Sequence, residues 1–112
     1  MKKVFISHPY IENIKLNLNR VDFICKNYIN KDKLAISPLH LFRFYEGETP
    51  ELRKNILDTC FRLIDICDMI YIFTYSDELS QGQEQELNYC LEKGWKVGKE
   101  IVVFRGLKSL RR

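Results

Sequence analysis

An α/β fold, one domain built on a parallel sheet of four to five strands flanked by helices, is the architecture this sequence predicts. Three observations predict it. Short apolar runs recur at Val4-Phe5-Ile6, Leu34-Ala35-Ile36, Met69-Ile70-Tyr71-Ile72-Phe73 and Ile101-Val102-Val103-Phe104. Longer segments with apolar residues at helical spacing lie between them, the alternation expected of βαβ units. The chain has 112 residues and is 46% hydrophobic, which fits one globular domain with a real core.

Each element has its own justification. Val4-Phe5-Ile6 ends at Ser7-His8-Pro9, a first strand and its turn. From about Ile11 to Ile29, the positions Ile14, Leu18, Val21, Ile24, Cys25 and Tyr28 form a helical stripe. Leu34-Ala35-Ile36 before Ser37-Pro38 is the second strand, and Leu39 to Thr49 reads as irregular, with Phe42, Phe44 and Tyr45 in it. Thr49 suits a helix N-cap and Pro50 the first helical position, so a helix is expected from there to about Cys67. Met69 to Phe73 is the third strand. A Ser/Gly stretch follows, then a helix carrying Leu87, Cys90 and Leu91 that ends near Gly94. Ile101 to Phe104 is the last strand. No repeat, linker or low-complexity tract is present.

Composition narrows the function. The net charge of +3 owes part of its excess to Arg105, Lys108, Arg111 and Arg112, a solvated tail. No basic stripe with interleaved aromatics occurs, which argues against nucleic-acid binding. No apolar run approaches membrane-spanning length and no signal-peptide pattern is seen, so a cytoplasmic, non-membrane protein is expected. Cys25, Cys60, Cys67 and Cys90 form no CxxC pair and read as reduced core residues. With two histidines and no ligand spacing, neither a metal nor a cofactor is expected.

Parallel sheets bind ligands beyond the carboxyl ends of their strands. Those ends carry Ser7-His8, Ser37 with His40 nearby, and Thr74-Tyr75-Ser76, a polar rim. The stretch Ser80-Gln81-Gly82-Gln83-Glu84-Gln85-Glu86 joins the third strand to its helix. Small residues at such a junction leave backbone N–H groups free for an anion, and a carboxylate one turn on can face the same ligand. Glu84 and Glu86 both flank the apolar stripe, so the pattern does not choose between them. Arg53 heads the stripe Ile56, Leu57, Cys60, Ile64, Cys67 and so lies near the buried face at a helix start. An inward guanidinium there suits a phosphate or carboxylate, and the bland alternative is an Arg snorkelling to solvent. Asp58 and Asp65 look exposed, Asp68 reads as a helix-end residue, and His8 reads as a loop residue lining the site. The Phe42–Tyr45 aromatics suit a base, a subunit contact or core filling.

Three stretches together resemble one family. Lys3-Val4-Phe5-Ile6-Ser7-His8-Pro9-Tyr10, then Cys67-Asp68-Met69-Ile70-Tyr71-Ile72-Phe73, then Ser80-x-Gly82-x-x-x-Glu86 with Gly94 and Val97, are similar to the nucleoside 2-deoxyribosyltransferase-like superfamily. The Ser37-Pro38-Leu39-His40 turn and Arg53 resemble a small branch of it. The resemblance covers about residues 3 to 103 and implies a flavodoxin-like or Rossmann-like sheet and a homodimer. It also implies cleavage or transfer of an N-glycosidic bond in a nucleotide or nucleoside-phosphate ligand. Carried over, Glu86 is the nucleophile; Ser80 and Gly82 hold the 5′ side; Ser7, His8 and Pro9 line the sugar and phosphate end; His40 and Arg53 are further ligand-binding positions. Two positions depart from the family pattern. Phe5 stands where a Tyr often orients the Glu, and Cys60 where an Asp is expected. These departures favour a second reading, a non-catalytic protein that senses or sequesters a nucleotide signal. The opening Val4-Phe5-Ile6-Ser7-His8 and the Ser80…Glu86-Leu87 segment also resemble a TIR domain, whose enzymes cleave the glycosidic bond of NAD.

Overall fold

All four apolar runs pair side by side into one parallel sheet in the computed structural model, which describes residues 1–9, 14–42 and 49–107. The strands are β1 (Lys2–Ser7), β2 (Lys33–Ile36), β3 (Met69–Phe73) and β4 (Ile101–Phe104), in the order β2-β1-β3-β4. Register follows Val4↔Met69 and Ser7↔Ile72 in the central pair, Lys2↔Lys33 on one side and Ile70↔Ile101 on the other. The helices are α1 (Ile14–Tyr28), α2 (Pro38–Leu41), α3 (Pro50–Asp65) and α4 (Gln81–Glu92).

Alternation along β1 divides the core in two. Phe5 points into a cluster with Cys60 and Ile64 of α3, Cys90 of α4, and Ile70 and Ile72 of β3. Val4 and Ile6 point the other way, against Val21 and Ile24 of α1 and Phe73. Successive strand residues face opposite sides, so both faces are covered, as a flavodoxin-like parallel sheet requires.

The β3 and β4 bounds match the sequence reading residue for residue. One element differs: α2 stands where irregular chain was expected. Ser37 is its N-cap and Pro38 its first residue, the same signal that Thr49 and Pro50 supply for α3. Phe44 and Tyr45 lie outside the described residues. Helix α4 is followed by Gly94 at φ +94°, a left-handed conformation that favours glycine and stops the helix where the sequence indicated. The carboxylate of Asp65 accepts from Tyr89 Oη at 2.7 Å and Lys93 Nζ at 2.8 Å, tying the ends of α3 and α4 together. No helix among the described residues is long and apolar enough to cross a membrane.

A candidate site at the switch point of the sheet

In this strand order, the chain leaves β1 toward β2 and leaves β3 toward β4, on opposite sides. The carboxyl ends of β1 and β3 are therefore the topological switch point, the place where open α/β sheets bind ligands.

Gln83 bridges the two strand ends at this switch point. The residue is 2% exposed. The amide nitrogen donates to the Phe73 carbonyl at 2.8 Å and to the Ser7 carbonyl at 3.3 Å. Its oxygen accepts from Ser80 N at 3.1 Å, while Ser80 Oγ accepts from Gln83 N at 3.2 Å, a capping box. One residue thus joins the ends of both central strands to the first turn of α4. The sequence signal for it is a Gln at the third helical position after Ser80, the capping-box spacing.

Glu86 lies one turn further along α4. Ser7 Oγ donates to Glu86 Oε1 at 2.6 Å. Ser7 is 1% exposed and, two residues beyond Phe5, points to the same face of the sheet. Phe5 has no hydroxyl to offer the carboxylate; Ser7 supplies one. Burial pushes the Glu86 carboxyl up to about 7, against the hydrogen bond from Ser7, which favours ionisation. Cys60 and Cys90 stand near enough to feel this carboxylate. Burial first, and the charge of Glu86 second, push both thiols up to about 12, so they are protonated neighbours. Glu84, by contrast, is exposed.

On the other face of β1, His8 Nε2 is 2.8 Å from Tyr75 Oη, with the rings edge to face at 5.4 Å. The Arg20 guanidinium sits 4.8 Å above the Tyr75 ring. Burial lowers the His8 pKa to about 4; a backbone contact at Pro9 opposes the shift and the charge of Arg20 adds to it. His8 is accordingly a neutral imidazole at pH 7. Asn17 and Arg20 are buried polar residues on the packed face of α1, which they share with Val21 and Ile24. Polar residues breaking an apolar stripe at that spacing were the available signal. Thr74, also buried, donates to the Glu78 carbonyl at 3.0 Å and shapes the loop after β3.

Ser80 is the α4 N-cap, and Gly82 lies within the first turn rather than in a loop before it. A Cβ at Gly82 would meet nothing within 4 Å, so its surroundings are open. Pro9 follows His8 at the half-buried rim. His40 stands on α2, with Nδ1 2.8 Å from Ser37 Oγ and Nε2 2.8 Å from Asp22 Oδ1, and no bond links it to Glu86 or His8. Arg53 is exposed on the first turn of α3. Among the described residues, no group of three His, Cys, Asp or Glu side chains is placed to hold a metal ion.

The family described as a domain of unknown function (DUF7768) matches residues 2–100, and the chain belongs to it. No curated protein and no solved structure matches the chain.

Proposed function

We propose that the protein binds a nucleotide or ribosyl phosphate at the β1/β3 end of the sheet and cleaves or transfers its N-glycosidic bond, with Glu86 as nucleophile. The observation that carries this reading is the pair Ser7–Glu86. It places a carboxyl at a switch point, oriented by a hydroxyl, with a pKa raised to about 7. The ionised form attacks the anomeric carbon as the base departs, and water or an acceptor base then releases the sugar. His8 and Pro9 at the end of β1, with Ser80 and Gly82 at the start of α4, hold the rest of the ligand. The resemblance to deoxyribosyltransferase-like proteins supports the same assignment and adds a homodimer whose second copy closes the site.

A second reading rests on Cys60. A thiol pushed up to about 12 beside Glu86 supplies no second carboxylate to the site. On this reading the protein binds a nucleotide at the same strand ends without breaking it.

The test is a thermal-shift screen with nucleosides, deoxynucleoside monophosphates, NAD, ADP-ribose and cyclic nucleotides, followed by chromatography of each stabilising compound. Release of free base by the wild type, abolished in Glu86→Gln, supports the glycosidase. Tight binding with the compound recovered intact supports the nucleotide sensor. No stabilisation by any of them would overturn both.

A further inference from the structure

Beside β2, three side chains form a hydrogen-bonded chain that the Glu86 chemistry does not use. Asp22 lies on α1, Ser37 caps α2, and His40 lies in α2. The distances are 2.8 Å from Asp22 Oδ1 to His40 Nε2 and 2.8 Å from His40 Nδ1 to Ser37 Oγ. An ionised carboxylate only accepts, so the neutral ring carries its proton on Nε2. Nδ1 then presents a lone pair, and the Ser37 hydroxyl donates to it. Ser37 Oγ also accepts the backbone N–H of His40 at 3.4 Å, which holds the oxygen in place.

The group opens onto a cleft of about 290 Å³ between α1, β2 and α2, with Ala35, Ile36 and Leu41 as its apolar wall. Cys25 shares the cleft, and burial, together with the charge of Asp22, raises its pKa, so the thiol competes poorly for an electrophile. A hydroxyl within bonding reach of an imidazole that a carboxylate orients has the nucleophile–base–orienter relationship of covalent hydrolases.

We propose that Ser37 is a nucleophile toward carboxylic esters with a short apolar acyl group, with His40 as its base and Asp22 as the residue that positions the base. Ser37 Oγ bonds to the acyl carbon as its proton passes to His40 Nδ1. The ester C–O bond breaks, and His40 returns the proton to the departing alkoxide. Water, deprotonated by the same nitrogen, then releases the carboxylic acid and restores the hydroxyl.

The test is labelling of the full chain with an alkyl fluorophosphonate, in which the Oγ–P bond forms and fluoride leaves with the serine proton, followed by peptide mapping. The expected result is one adduct on Ser37, slowed by about 100-fold or more in His40→Gln. Asp22 is mostly exposed, so Asp22→Asn tests the positioning role with the fold intact; labelling is expected to slow at least tenfold with an unchanged circular dichroism spectrum. Absence of an adduct on wild-type Ser37, an adduct elsewhere, or an unchanged rate in Asp22→Asn would overturn the proposal. None of these outcomes bears on Glu86, which plays no part in the labelling.

Discussion

Ser7 Oγ stands 2.6 Å from Glu86 Oε1, joining the last residue of β1 to the second turn of α4 across 79 positions of sequence. The bond favours the ionised carboxylate while burial disfavours it, and burial prevails. Removing the hydroxyl therefore shifts Glu86 further in the same direction. In Ser7→Ala the Glu86 pKa is expected to rise above 7, visible in a carboxyl-carbon NMR titration. If Glu86 is the nucleophile, the acidic limb of its pH–rate profile moves to higher pH with it.

Glu86 also makes stability depend on pH. Its folded pKa of about 7 exceeds the ordinary 4.5, so between these values the folded state binds more protons than the unfolded. Stability from this group is full below pH 4.5 and falls as pH rises through 7. The difference amounts to roughly 3 kcal/mol at pH 8. Glu86→Gln is expected to flatten this limb and raise Tm at pH 8 more than at pH 5, measured by calorimetry at both.

His8 sets the opposite limb. Its folded pKa of about 4 lies below 6.5, so the unfolded chain takes up the proton first as pH falls. Stability is lost on descending from pH 6.5 toward 4. His8→Asn is expected to reduce acid sensitivity in that interval, read from urea midpoints across pH 4 to 7.

Gln83 holds two strand ends and a helix cap with one buried amide. Gln83→Ala leaves the carbonyls of Phe73 and Ser7 without this donor and opens a small cavity. A loss of about 2–4 kcal/mol is expected in denaturant unfolding. A cost below 1 kcal/mol would mean that water replaces the amide.

Gly82 separates stability from binding. It lies in a helix, and a methyl group there meets no neighbour within 4 Å. Gly82→Ala is expected to gain about 0.5–1 kcal/mol of stability. If the ligand approaches this backbone, the same substitution weakens binding; titration calorimetry with the first stabilising nucleotide reads both sides of the trade.

Much of the frame was legible because local chemistry and fold agree in it. β3 and β4 are apolar runs with one possible partner face each, and Thr49-Pro50 announces α3 without tertiary help. The site was less legible because pairing across the sheet decides it. Glu84 and Glu86 are equivalent to a helical wheel; only the position of Ser7 at the end of β1 distinguishes them. Arg53 illustrates the limit of a stripe: its place at the head of the stripe left it exposed past the core. Sequence proximity to a strand end groups His40 with the rim, while its partners come from α1 and the α2 cap. Ser37-Pro38 carried the same helix-start signal as Thr49-Pro50, but four residues of helix leave too little periodicity to register.

The strict alternation of β1 has an energetic consequence. Ser7 and Glu86 belong to the face packed by α3 and α4, while His8, Tyr75 and Arg20 gather on the face packed by α1. A molecule seated astride the strand end would be gripped by two groups with no side chain in common. Free-energy changes from Glu86→Gln and His8→Asn should then sum in the double variant to within about 0.5 kcal/mol, as for independent sites. Each half of the grip could be altered while the other keeps its hold.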